Sequence, residues 1–133
     1  MNYLLYMDDF TRACKDGDIA TATRLLPSVD PSSPDNWGIH MASFYGHLDV
    51  VRLLLEDPRV DPSSSSNYAL RWASANGHLV VVQLLLTDSR VDSSALGNAA
   101  MNWAKQSGHT EIADLLTEHM YRLDGPEYTK NIL

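Results

Sequence analysis

The sequence predicts an all-α solenoid, built from about four helix–turn–helix repeats joined by short loops or hairpins. The first observation is a fixed period, because Gly46-His47, Gly77-His78 and Gly108-His109 stand 31 residues apart. The second is an apolar stripe after each Gly-His pair, in which hydrophobic residues recur at three and four positions. A constant period of about 20 to 50 residues is typical of stacked repeats that contact mainly their neighbours.

Other residues keep the same step and set the boundaries of the repeats. The step of 31 also relates Ala42 to Ala73 and Ala104, and Asn36 to Asn67 and Asn98. One step earlier, the segment 10–19 fits the same frame, with Gly17 placed 29 residues before Gly46. The predicted repeats therefore span about 8–34, 35–65, 66–96 and 97–121 of a single domain, 1–133. Residues 1–7 are expected to cap the first repeat, and 122–133 are expected to form a tail.

The second repeat illustrates the local signals. Residues 39–45 are predicted to form a helix that ends at Gly46, since glycine is favoured just past a helix end, where φ turns positive. A second helix is predicted from His47 to Glu56, and Asp57-Pro58 ends it. In the Ser-rich loop that follows, Asp61 is expected to bond its own backbone two residues further on.

Two segments carry a resemblance to a known family. The sequences ASANGHLVVVQLLL at 73–86 and GHLDVVRLLL at 46–55 resemble the A-A-x-x-G-H-L-E-V-V-x-L-L-L core of ankyrin repeats. The resemblance covers roughly residues 8–121. It implies that the first helices and the loops line a concave face that usually binds other proteins. It also implies that the histidines of the Gly-His turns bond the backbone of neighbouring loops.

The chain departs from the ankyrin pattern at the helix openings. The family's Thr-Pro-Leu-His opening is missing, and Asn36, Asn67 and Asn98 are expected to supply the N-caps instead. The period of 31 is two residues shorter than the common ankyrin unit of about 33 residues. The projecting hairpins are therefore expected to be short, with Ser-rich tips.

Charge and composition exclude several classes of function. The chain has 17 acidic and 10 basic residues, a net charge of −7, and its basic residues are scattered. Nucleic-acid binding requires a basic face, so no nucleic-acid partner is expected, whereas an acidic surface favours a basic or mixed partner. The single cysteine, Cys14, excludes an internal disulfide and suits a reducing compartment. Without a signal peptide or a membrane-spanning segment, we expect a cytoplasmic or nuclear protein with no membrane partner.

The sequence offers no arrangement that predicts catalysis. His47, His78 and His109 lie one repeat apart, and packed helices are separated by roughly 8–10 Å, too far for the three side chains to share one zinc ion. The same spacing separates Asp61 from Asp92. There is no Gly-x-Ser-x-Gly elbow and no Gly-rich phosphate loop. We therefore expect a protein that is not an enzyme and has no cofactor or metal.

The expected binding residues stand on the concave side, at the helix openings and just before each Gly-His pair. The aromatic anchors and polar orienters predicted there are Trp37, Phe44, Tyr45, Tyr68, Arg71 and Asn76. For Trp37 and Phe44, packing between repeats remains an open alternative. Trp72 and Trp103 occupy a position that is usually a buried leucine, so they are expected in the core, with a partly exposed indole as the alternative.

These observations predict a monomeric, non-catalytic adaptor or inhibitor that binds another protein through its concave face. The alternative is a self-associating structural module that dimerises through the apolar segment Tyr3-Leu4-Leu5-Tyr6-Met7. We expect that segment to cover the open end of the first repeat instead, as a helix.

Overall fold

A computed structural model describes residues 7–124, with side chains to residue 121, and its helices come in pairs. They are α1 (Asp9–Asp16), α2 (Ile19–Leu25), α3 (Trp37–Phe44), α4 (Leu48–Leu55), α5 (Ser64–Ala75), α6 (Leu79–Leu85), α7 (Ala95–Gln106) and α8 (Thr110–Asp124). A short 3-10 turn, Leu26–Ser28, follows α2, and no strand occurs within 7–124. The predicted all-α class is confirmed. Residues 1–6 and 125–133, which include most of the predicted capping segment and tail, lie outside the described residues.

Each helix pair turns at a glycine. Gly17, Gly46, Gly77 and Gly108 adopt positive φ angles of 72°, 79°, 80° and 80°, as the Gly-His motif predicts. The left-handed conformation ends the first helix and lets the backbone N–H of the next residue return to a carbonyl of the last turn, as in the bond from His47 N to Ala42 O (2.8 Å). The second helix of each pair then runs back along the first.

The pairs stack so that all first helices (α1, α3, α5, α7) form one layer and all second helices (α2, α4, α6, α8) form another. Most contacts of a helix are made within its own pair or with its equivalent in the neighbouring pair. First helices of neighbouring pairs approach each other more extensively than second helices do. A stack packed more tightly on one side curves toward that side, so the first helices line the concave face. The core between the layers includes Ile39, Leu54, Leu70, Leu85 and Leu116, all fully buried.

Short-range turns fix the loops between the pairs. The Asp61 carboxylate accepts hydrogen bonds from Ser63 N (2.9 Å) and Ser63 Oγ (2.6 Å), as predicted from the sequence. The same turn recurs at Asp30 and Asp92. A guanidinium crosses each of the first two junctions, since Arg59 donates to Val29 O (2.9 Å) and the equivalent Arg90 donates to Val60 O (3.0 Å).

The prediction that asparagines cap the first helices is wrong. Asn36 and Asn67 have positive φ angles (58° and 59°), and neither side chain caps its helix. Instead, Asn36 Oδ1 accepts from Asp61 N (2.8 Å), and Asn67 Oδ1 accepts from Asp92 N (2.9 Å). Asparagine fits because it tolerates the left-handed region better than other non-glycine residues. Its side chain ties the start of one helix pair to the loop that leads into the next.

We expect Asn67→Ala to lower the free energy of unfolding by about 2 kcal/mol, because the part-buried Asp92 N–H loses its acceptor and alanine is strained at positive φ. Asn98→Ala is the matched control, because Asn98 has a similar φ of 63°. The residue 25 positions after Asn98 belongs to helix α8 and not to a loop, so among the described residues the equivalent of the bond to Asp92 is missing there. It should cost about 1 kcal/mol. Equal losses in urea unfolding would show that the bond to Asp92 contributes nothing.

Candidate functional site

Aromatic side chains on the concave layer form one connected group that extends over α3, α5 and α7. We call this group the aromatic row, and its members are Trp37, Phe44, Tyr45, Tyr68, Trp72 and Trp103.

Four of the rings run in sequence across the three helices. The centroids of Trp37 and Tyr68 are 5.7 Å apart, those of Tyr68 and Trp72 are 6.0 Å apart, and those of Trp72 and Trp103 are 5.1 Å apart. Tyr68 and Trp72 stand four residues apart on α5 and therefore share one helix face, and Trp103 repeats the position of Trp72 one step later. The helical spacing and the 31-residue period together align the rings.

Phe44 and Tyr45 form a branch at the end of α3. The Phe44 ring lies 5.3 Å from Trp72 and 4.9 Å from Tyr45, measured between centroids. Beyond them, the Lys15 ammonium lies 5.3 Å from the centre of the Tyr45 ring. The row therefore reaches from the second helix pair to the last, and Lys15 links it to the first pair.

The rings pack against one another and still meet solvent. Tyr45 is 45% exposed, and the other five rings are half-buried. Successive ring planes are tilted by angles between 38° and 71°, and the Trp37–Tyr68 pair, at 71°, has the edge-to-face packing that aromatic quadrupoles favour. The result is a ridged apolar surface and not a flat stacking platform.

Two polar side chains belong to the same surface. The Arg71 guanidinium carbon lies 5.8 Å from the centre of Tyr68 and 5.5 Å from that of Trp103. Its Nε and Nη2 atoms donate to the carbonyls of Ser66 and Ser65, each at 2.9 Å, and so hold the left-handed turn at the start of α5. Asn76 Nδ2 donates to Phe44 O (3.0 Å) and links α5 to α3.

The turn histidines are structural. His47 Nε2 lies 2.8 Å from Lys15 O, and His78 Nε2 lies 2.9 Å from Phe44 O. Since a carbonyl oxygen only accepts, each Nε2 donates, as the family resemblance implies. The His109 ring lies beside Gly77, as the His47 ring lies beside Gly17 and the His78 ring beside Gly46. Within residues 7–121, no three His, Cys, Asp or Glu side chains are grouped as a metal site.

Two buried titratable groups lie beneath the concave surface. His40 is only 1% exposed, and burial, assisted by the charge of Arg71, lowers the pKa of its imidazole to about 4. Its ring lies 4.6 Å from Tyr68 and 5.7 Å from Trp37. Burial, assisted by Asp8, raises the pKa of the Cys14 thiol to about 12. Cys14 is therefore a protonated core thiol at neutral pH and not a nucleophile.

The six residues predicted from the sequence lie on one surface. Trp37, Phe44, Tyr45 and Tyr68 belong to the aromatic row, and Arg71 and Asn76 contact it. Trp37 and Phe44 also pack against the neighbouring helix pair, so packing between repeats, the alternative for these two residues, describes part of their environment.

The expectation that Trp72 and Trp103 lie in the core is wrong. Both indoles are half-buried members of the row, as the alternative of a partly exposed indole describes. A signal for this was present, because Trp72 follows Tyr68 by four residues and therefore shares its face. The leucine that is usual in the family at this position favours the opposite prediction, a buried side chain.

Comparison with known families agrees with this architecture. A model described as ankyrin repeats, three copies, matches residues 10–95 and again residues 39–132. The chain belongs to the ankyrin-repeat family. Ankyrin repeats are generally protein–protein interaction modules and are typically not catalytic. A search of curated proteins finds no match. Among the helices of residues 7–124, none has the length and apolar character needed to cross a bilayer.

Proposed function

We propose that this ankyrin-repeat protein is a non-catalytic adaptor or inhibitor that binds a partner protein along the aromatic row. The observation that carries the proposal is the continuity of the row, in which each ring contacts the next from α3 to α7. Aromatic side chains dominate the energetics of protein interfaces, and a connected apolar surface distinguishes a binding site from scattered apolar residues.

The shape of the row indicates the form of the ligand. Neighbouring helices are spaced by roughly 8–10 Å, so a ligand that covers α3, α5 and α7 extends for about 20 Å. That length suits an extended or helical segment of another protein and exceeds the size of a small metabolite. Arg71 and Asn76 offer polar groups beside the rings, which would orient such a segment.

Tyr45→Ala and Trp72→Ala should each weaken partner binding by about 30-fold, the loss expected for a truncated aromatic hot spot of about 2 kcal/mol. Tyr121→Ala is the matched control, because Tyr121 is 56% exposed, similar to the 45% of Tyr45, but lies on α8 in the second layer. The partner would be captured from lysate with the full-length protein, identified, purified and titrated calorimetrically against each variant.

The control variant should change the affinity by less than about twofold, and Tyr45→Ala should leave the melting curve unchanged. Binding that survives both Tyr45→Ala and Trp72→Ala, or that responds equally to Tyr121→Ala, would remove the aromatic row as the binding site. Sedimentation velocity on the free protein addresses the self-association alternative. We expect a single monomeric species at every concentration.

A further inference from the structure

The three helices that carry the aromatic row differ in charge from the chain as a whole. Although the chain carries a net charge of −7, helices α3, α5 and α7 contain no aspartate or glutamate. Their charged side chains are Arg71 and Lys105. Acidic residues lie instead on α1 (Asp9 and Asp16), on second helices, such as Asp49 on α4, and in loops, such as Asp57 and Asp88. The overall acidity therefore does not describe the surface around the aromatic row.

Arg71 differs from most other cations in the described residues. Ion pairs with a carboxylate form at Arg12, Lys15, Arg52, Arg59 and Arg90. Within residues 7–121, Arg71 forms no such pair and bonds only the neutral carbonyls of Ser65 and Ser66. A guanidinium has five N–H donors, so these two bonds leave three for a ligand.

The position of Arg71 makes an additional carboxylate favourable. The guanidinium is half-buried between Tyr68 and Trp103, where water is partly displaced. Ion pairs gain strength in such surroundings, and a guanidinium anchored by fixed hydrogen bonds loses little further freedom when it binds a second acceptor. The bonds to the Ser65 and Ser66 carbonyls provide that anchor.

We propose that the occupant of this surface is an acidic segment of the partner protein. One of its carboxylates pairs with Arg71, and apolar side chains on either side of that carboxylate pack on Trp72 and Trp103. Lys105, on the same layer, adds a second attractive charge toward the α7 end of the row. This inference rests on the proposed function and adds the chemical class of the segment that is bound.

A nucleic acid is the other anionic polymer that aromatic surfaces bind, and the geometry favours the peptide. Single-stranded nucleic acids need a groove of positive charge along the backbone together with open ring faces on which bases stack. Helices α3, α5 and α7 provide two cations. The rings of the row are tilted against one another by at least 38°, so they do not form a series of parallel faces.

The first experiment selects ligands without assuming their charge. A library of random 12-residue peptides, displayed on phage, would be panned on the full-length protein and depleted on Trp72→Ala. We expect the recovered peptides to be enriched in Asp or Glu next to Leu, Phe or Trp. Recovered peptides that are neutral or rich in Lys and Arg would overturn the inference and leave the proposed function standing. No enrichment over Trp72→Ala would overturn both.

The second experiment tests whether an acidic residue of a recovered peptide contacts Arg71. Arg71→Gln should weaken its binding by about ten-fold or more, the loss expected for a charge-assisted pair. Replacing the peptide's acidic residue with its amide should cause a similar loss. The two changes together should cost much less than the product of the separate losses, because both remove the same contact. Multiplicative losses would show that Arg71 does not contact that residue.

Controls separate this contact from changes in folding and from general charge attraction. Arg24→Gln removes a cation from the second layer, on α2, and should change the affinity by less than twofold. Because Arg71 also holds the turn at Ser65 and Ser66, Lys105→Gln provides a second test that leaves the turn intact. It should weaken binding by about threefold at 50 mM salt and less at 500 mM. Tighter binding of a 12-residue oligouridylate than of the recovered peptides would overturn the inference.

Discussion

Replacing Gly46 with alanine should lower the free energy of unfolding by about 3 kcal/mol. Gly46 has φ of +79°, and an alanine in this left-handed conformation costs roughly 1–2 kcal/mol by itself. In addition, a Cβ at this position would lie 2.5 Å from Nδ1 of His78, which belongs to the next helix pair. The imidazole would have to move and lose its hydrogen bond from Nε2 to Phe44 O. Phe44 O would keep its bond from Asn76 Nδ2, but the part-buried Nε2–H of His78 would lose its acceptor, which costs about 1–3 kcal/mol more.

The last repeat offers the matched control. Gly108 has φ of +80°, and a Cβ built there has nothing within 4 Å among the described residues. Gly108→Ala should therefore cost only the backbone strain, about 1.5 kcal/mol. The difference between the two variants measures the contact between successive pairs, separated from the conformational preference of glycine.

Urea unfolding at pH 7.5, followed by circular dichroism, would provide both values. The Gly46→Ala variant should also expose the Trp72 region earlier than the rest of the chain, since the broken contact joins the second and third helix pairs. Equal destabilisation at Gly46 and Gly108 would show that the imidazole adapts at no cost, and that the Gly-His motif serves only the turn.

The features that could be predicted from the sequence are those that depend on interactions between residues close together in the chain. The positive φ at Gly46 and the Asp61–Ser63 turn follow from local steric and hydrogen-bonding preferences, which the sequence displays directly. Because these turns recur at a fixed period, each helix pair presents the same apolar stripe on its second helix. Stacking the pairs buries these stripes. This is why the fold class and the helix ends at the glycine turns follow from the sequence.

The features that could not be predicted depend on residues in a neighbouring helix pair. Asn36 has the right chemistry for an N-cap, but its acceptor oxygen bonds Asp61 N, 25 residues away, because the backbone enters α3 in a left-handed conformation. Trp72 occupies a position that is usually a leucine, but its half-buried ring lies on the concave surface, where it packs against Phe44 of the preceding helix pair and Trp103 of the next. The sequence of one repeat considered alone contains none of these contacting residues.

Acidification should remove about 3 kcal/mol of stability between pH 6.5 and pH 4 through His40. The imidazole is 1% exposed, and its Nε2 has no hydrogen-bond partner among the described residues. Burial is the main reason that its pKa falls from 6.5 to about 4, and the charge of Arg71 adds to the shift. The carboxylates of Asp35 and Asp61 and the backbone of Ser64 act in the opposite direction but do not compensate.

The direction of the effect follows from the two pKa values. Between pH 6.5 and 4 the unfolded chain binds a proton at His40 and the folded chain does not, so lowering the pH favours unfolding. The stabilisation is complete above pH 6.5 and is lost by pH 4. Half-buried loop carboxylates such as Asp57 and Asp88, whose pKa values are lowered by hydrogen bonds from Arg59 and Arg90, lose their contribution only below about pH 4. The change in the free energy of unfolding between pH 6.5 and 4.5 therefore reports on histidines and not on these carboxylates.

His40→Leu separates His40 from the other histidines, because leucine fills the buried site and does not titrate. The free energy of unfolding, measured by urea titration at pH 7.5, 5.5 and 4.5, should fall less steeply in this variant than in the wild type, by about 2 kcal/mol over the interval to pH 4.5. Parallel profiles would mean that the folded protein accepts the proton at His40. Because His40 supports the rings of Tyr68 and Trp37 from beneath, the loss of stability should begin at the aromatic row, so partner affinity should fall over the same interval.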